Sequence, residues 1–188
     1  MATLEDERWT FGHALHVENN DPVNPFTRNT LYSKVYLNGD ASNWVLAAVP
    51  APNVTEGWKI SYVTLRYAIR GAGPESGIID KIGIRDGNEV VNEVEGLDIG
   101  RTPQGSWQTV IVSRLSPPKP FKYGLAVSIH VNYPVKPTDP SWPSFPPTEF
   151  LFASVGLGFV RESTPGLPIK AQTKNKAPIK AKTKKRHR

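Results

Sequence analysis

Cysteine is absent from the 188 residues, so no disulfide, thiolate nucleophile or Cys-ligated metal can form. Histidine is scarce: only His13, His16, His130 and His187 occur, and His13 and His16 differ in parity, so on one regular strand they face opposite sides. An imidazole metal site therefore has little to draw on, and neither metal nor cofactor is expected. No apolar run approaches the roughly 18 residues of a membrane span. The start, MATLEDERW, lacks the basic residues and apolar core of a secretion signal. These absences predict an intracellular chain, cytoplasmic or nuclear, with no transmembrane segment. Apolar residues spaced for an amphipathic helix are missing as well, which excludes a helical bundle.

Acidic residues, too, are missing from one stretch. Positions 163–188 hold nine Lys or Arg and no Asp or Glu, leaving residues 1–162 with 14 basic against 17 acidic side chains, a formal charge of −3. The pI of 9.5 thus describes a tail rather than the chain's body. The tail also repeats with a period of ten, Pro168-Ile-Lys-Ala-Gln-Thr-Lys matching Pro178-Ile-Lys-Ala-Lys-Thr-Lys. Having few large apolar residues and unopposed charge, it cannot bury enough surface to offset its chain entropy, and disorder is expected. Its Lys170, Lys174, Lys176, Lys180, Lys182, Lys184, Lys185, Arg186 and Arg188 suit a polyanion, nucleic acid above all, and Lys184-Lys185-Arg186 could serve nuclear import. No aromatic is interleaved, so base stacking is not offered.

What is present is strand alternation. Gly57–Arg70, GWKISYVTLRYAIR, is the longest alternating run: Trp58, Ile60 and Tyr62 are apolar first, then Val63, Leu65, Tyr67 and Ile69. The slip of phase near Tyr62 predicts a β-bulge or a strand buried on both faces. Arg66, charged in the middle of this run, must reach solvent, meet a carboxylate or line a cavity. Trp9–Val17, Leu31–Leu37, Trp44–Val49, Ile78–Arg85, Glu89–Val94, Trp107–Val112, Tyr123–Val131 and Phe150–Val160 read as further strands. Asp86-Gly87-Asn88 is the clearest hairpin turn, and the proline- and Asx-rich Asn19–Asn29 can be neither helix nor central strand. Gly156 and Gly158 allow a bulge or a close backbone neighbour. Nine strands at near-regular spacing predict an all-β antiparallel sandwich over residues 9–162, with a jelly roll as one topology, after an acidic lead-in of residues 1–8.

Several residues make the chain similar to a poorly characterised family of small all-β domains of unknown function. They are Trp9 with Gly12-His13, Ser42-Asn43-Trp44 followed by Pro50 and Pro52, Asp86-Gly87, Tyr123–Ile129, and Phe152-Ala153-Ser154 with Gly156 and Phe159. Where that family often carries an acidic residue before the last Phe, this chain has Gly158. The resemblance implies a β-sandwich and brings no activity with it.

Catalytic patterns are weak. No Gly-x-Ser-x-Gly elbow or phosphate-cradling glycine loop occurs, and Glu75, Asp80, Asp86, Glu93, Glu95 and Asp98 are spaced like solvated hairpin charges. If the chain is an enzyme, His13, Arg66 and His130 are its candidates, lining an internal pocket for a hydrophobic small molecule. Otherwise His13, on the apolar face of its strand, is a core imidazole. His130 shares the face of its strand with Gly124, Ala126 and Ser128, small residues that leave room for a ligand or a neighbouring sheet. The loop from Tyr133 to Thr148 carries six prolines together with Trp142 and Phe145, so Tyr133, Trp142 and Phe145 could meet a protein or carbohydrate partner, or fold back as a lid. The leading expectation is a non-enzymatic binding module with a polyanion-binding tail. A self-assembling, shell-like homo-oligomer is the remaining alternative.

Overall fold

Alternating apolar side chains build two antiparallel sheets that face each other across one core. The computed structural model describes residues 3–18, 25–37, 42–71, 76–100, 102, 105–133 and 148–162. Its strands are β1 (Thr3–Phe11), β2 (His16–Val17), β3 (Phe26–Arg28), β4 (Ser33–Leu37), β5 (Asn43–Val49), β6 (Lys59–Gly71), β7 (Ile78–Asp86), β8 (Glu89–Val94), β9 (Gln108–Pro120), β10 (Leu125–Asn132) and β11 (Thr148–Glu162). One sheet runs β3-β4-β11-β6-β9, and the other β2-β5-β10-β7-β8. β11 is the spine of the first sheet: β6 lies along one side, while β4 and then β1 share the other. The all-β antiparallel sandwich predicted from the alternation is thus the fold.

The inward faces are apolar through their middle, with buried Ser33, Asn43 and Thr148 at strand ends. Val63, Leu65, Ile69, Phe150, Phe152 and Phe159 of the six-stranded sheet, and Val45, Ile82, Ile84, Val127 and Ile129 of the five-stranded sheet, are each at most 2% exposed. Burying each contributes roughly 1.5–3 kcal/mol before chain entropy is counted. Asp86 is the one charged side chain counted as buried among the described residues, and its carboxylate accepts the backbone N–H groups of Lys122 (2.6 Å) and Tyr123 (2.7 Å). It ties the β7–β8 hairpin to the approach of β10, a structural task.

The slip of phase near Tyr62 is a bulge. Gly158 pairs with Tyr62 and Phe159 with Ile60, so Ser61 is the extra residue, and both Ile60 and Val63 point into the core. β6 is also buried on both faces in part, since Ala68 and Thr64 are covered as well.

Three expectations change. The acidic stretch before Trp9 is not a lead-in, because Thr3–Phe11 pairs with β11 throughout. Trp9–Val17 is two strands in two sheets, divided by a short 3-10 turn at Gly12–Ala14. A Cβ on Gly12 would collide with the Phe152 carbonyl and the backbone of Tyr32 and Ser33, so only glycine lets the chain cross there. β9 runs on through its prolines to Pro120 because it is an edge strand, where missing N–H donors cost no ladder bond. The bulge that the glycines were expected to allow falls at Gly158, where the pairing with β6 shifts before Phe159, and the rings of Trp9 and Tyr62 lie over Gly156 and Gly158.

Candidate functional site

The outward side chains of the five-stranded sheet fall in three rows across the strands. Opposite Ser128 on β10 stand Leu46 and His16 on one side and Gly83 and Glu93 on the other. Opposite His130 stand Trp44 and Lys81, and opposite Ala126 stand Ala48 and Arg85. In the Ser128 and Ala126 rows the middle strand is small and so is one flank, Gly83 in the first and Ala48 in the second, which leaves Leu46 and Arg85 as the long side chains on opposite sides. The result is a groove of about 370 Å³ lined by Glu18, Trp44, Leu46, Arg85 and Ser128. Its size is within the range of small-molecule sites.

Charges around the groove divide into paired and unpaired. Lys81 bonds Glu95 at 2.5 Å and lies 3.8 Å from Glu93, so the hydrogen bond raises the lysine above its ordinary pKa and holds Glu95 below its own. His130 Nδ1 meets Asp80 Oδ1 at 2.6 Å, its ring tilted against Trp44 with centroids 4.7 Å apart. Lys81 Nζ sits 5.9 Å from the centre of the same indole. By contrast, neither the Arg85 guanidinium nor the Glu18 carboxylate has a hydrogen bond or ion pair with another described residue. Leu46 is 38% exposed, a large apolar side chain left in water beside them.

Ser128, His130 and Asp80 have the residue types of a hydrolytic triad but not its geometry. Ser128 and His130 are two residues apart on one face, about 7 Å by strand rise. The Ser128 hydroxyl donates to the Gly83 carbonyl at 3.4 Å, and the residue is 1% exposed. No base addresses that hydroxyl.

The predicted enzyme residues do not converge. His13 is exposed on the 3-10 turn, stacked on Phe11 at 6.2 Å, and is therefore not a core imidazole. Arg66 reaches solvent from the outer face of the six-stranded sheet, and His130 is on the outside of the other sheet. Nothing titratable from this trio enters the core. Tyr133 turns inward, 7% exposed, with its hydroxyl donating to the Leu37 carbonyl at 3.1 Å; burial pushes its phenol pKa up. It is a core residue rather than a ligand contact. Trp142, Phe145 and the tail cations from Lys170 to Arg188 lie outside the described residues.

Reading the sequence found the small-residue face of β10 but missed Glu18, Trp44, Leu46 and Arg85 as its borders. Only strand order sets them beside it. Among the described residues no helix is long and apolar enough to cross a membrane.

No model of a known protein family matches the chain, and no curated protein does. Among solved structures, a cyclase from Fischerella sp. TAU, in complex with 4-(1H-indol-3-yl)butan-2-one, is similar over 82% of this chain and 88% of its own. Identity is 12% and the TM-score 0.23, a likeness too slight to bear on the site.

Proposed function

We propose that the protein is a non-enzymatic binding module, taking a small ligand in the outer groove of its five-stranded sheet and attached to a polyanion, nucleic acid foremost, by its basic tail. The observation that carries this reading is how the charged side chains are disposed. His13, Arg66 and His130 stand on three separate surfaces, while the groove draws an aromatic, an aliphatic and two unpaired charged side chains together from neighbouring strands. A surface that gathers binding groups and no activated nucleophile is suited to holding a molecule rather than changing it. The nine tail cations supply the sequence-independent attraction to phosphates that the acidic body lacks.

Deleting residues 163–188 tests the tail. Retention of the full chain on duplex DNA should fall steeply as salt rises, and the shortened chain should show little retention at any salt while unfolding at the same temperature. Equal retention of the two chains rejects the attachment.

A further inference from the structure

Arg85 is the group on this surface that most needs an explanation. It is half-buried at the edge of the groove, beside Ala126 and within reach of apolar walls, yet no carboxylate of the described chain pairs with it. Lys81, two outward rows away along the same strand, has Glu95 and Glu93; Arg85 has neither. A guanidinium fork is suited to a planar anion held by two parallel N–H···O bonds, and in a partly desolvated place such a bond is strong. Beyond Arg85 the groove changes character. Its middle is Ala126, Ser128 and Leu46 with Trp44 alongside, and the Ser128 hydroxyl is already engaged.

Resting on the reading of this groove as a ligand site, we propose that it binds a small hydrocarbon carboxylate, its head on Arg85 and its apolar body along Leu46 and Trp44. Charge and hydrogen-bonding capacity decide between ligand classes. A sugar would bring several hydroxyls, each needing partners, to a middle whose only hydroxyl is spoken for and almost fully buried. A polyphosphate or nucleic acid strand would find one unpaired cation and then Glu93, Glu95 and Glu18. A single carboxylate needs only one cation. Glu18 follows β2, three strand spacings from β7, and lies in the Trp44 row, two outward rows from Arg85, so about 20 Å separates the two along the sheet. A ligand long enough to reach it is favoured with a hydroxyl or amine at its far end and disfavoured with a second carboxylate.

The test titrates the full chain with 4-phenylbutyrate, with its uncharged counterpart 4-phenylbutan-1-ol, and with cellotetraose. Binding is followed by the indole N–H resonance of Trp44, assigned from Trp44→Phe. The acid should bind at least about tenfold more tightly than the alcohol. Arg85→Gln should bring the acid down to the alcohol's affinity and leave the alcohol unchanged. Arg85→Lys, which keeps the charge without the fork, should fall between, and serves if the glutamine variant folds poorly. Ala126→Leu, which places a bulky side chain directly beside Arg85, should weaken both. Equal binding of acid and alcohol by the unaltered chain, or an Arg85→Gln protein that still prefers the acid, overturns the proposal. Cellotetraose binding that Ala126→Leu blocks, without acid binding, overturns the ligand class and keeps the groove. No probe shifting the Trp44 resonance at millimolar concentration overturns both.

Discussion

The two outer faces of the sandwich begin from the same device and end differently. Each has a middle strand whose outward positions are small: Ser154, Gly156 and Gly158 on β11, Ala126 and Ser128 on β10. On the six-stranded sheet the flanking strands close that trough. Trp9 from β1 lies over Gly156, Tyr62 from β6 lies over Gly158, and the Thr64 hydroxyl donates across β11 to Glu7 Oε1 at 3.0 Å. The Arg114 guanidinium, 5.7 Å from the ring centre, then covers Tyr62. On the five-stranded sheet Trp44 turns toward His130 and Lys81 instead, and Leu46 and Arg85 border the small residues without covering them. A column of small residues is therefore not a binding site by itself. Whether the neighbouring side chains lean over it decides.

That contrast can be broken from either side. The largest effect is expected from Trp9→Ala, which would empty the trough over Gly156. Because the indole is only half-buried, the loss should be about 2–3 kcal/mol, short of the roughly 3–5 of a fully buried aromatic. Urea midpoints compare the two proteins, and an unchanged midpoint would mean that the ring merely rests on the surface.

A matched pair comes next. Gly158→Ala puts a methyl group into the Tyr62 ring and should cost about 1–2 kcal/mol by overpacking. Ala126→Leu adds three carbons on the half-buried outer face beside Arg85 and should change stability by less than about 0.5 kcal/mol. Equal costs would show the groove to be as filled as the trough.

The smallest effect separates the faces by pH. Burial, then the nearby Glu7 and Glu5 carboxylates, raise the Tyr62 phenol above its ordinary value of 10.0, against a smaller opposing pull from Arg114. The folded chain thus holds this proton more tightly than the unfolded one. The stability so contributed is intact below about pH 10 and is lost as pH rises through the folded pKa. Between pH 9 and 11 the unaltered protein should lose stability with a steeper slope than Tyr62→Phe, measured by urea unfolding. Tyr67 and Tyr133, whose phenols burial also raises, keep the variant's slope from vanishing. Identical slopes would remove Tyr62 from the closed face.

Much of this was legible in the residues. Alternation found eight of the strands one for one, β4 to β11, and the one-residue slip at Tyr62 announced the Ser61 bulge, because side-chain parity is a local property of extended backbone. β1 was less visible: over Leu4–Arg8 its pattern is charged, and what holds it is backbone pairing to β11, 150 residues later in the chain. β3 hid among prolines for the same reason, being three edge residues paired to β4. His13 misled because Gly12 breaks the strand on which its parity was counted. Of the groove, Ala126 and Ser128 could be suspected; Arg85 could not, since its spacing looks like that of any hairpin charge.

By itself the sequence determined the class of fold, the Asp86-Gly87 hairpin turn, and the division between an acidic body and a cationic tail, since parity, turn chemistry and charge are all written in neighbouring residues. Tertiary structure alone decided which small residues would be covered and which left open, and which cation would find no partner. Those outcomes depend on strands distant in sequence lying side by side, and the order β2-β5-β10-β7 is set by how two sheets bury their apolar faces together.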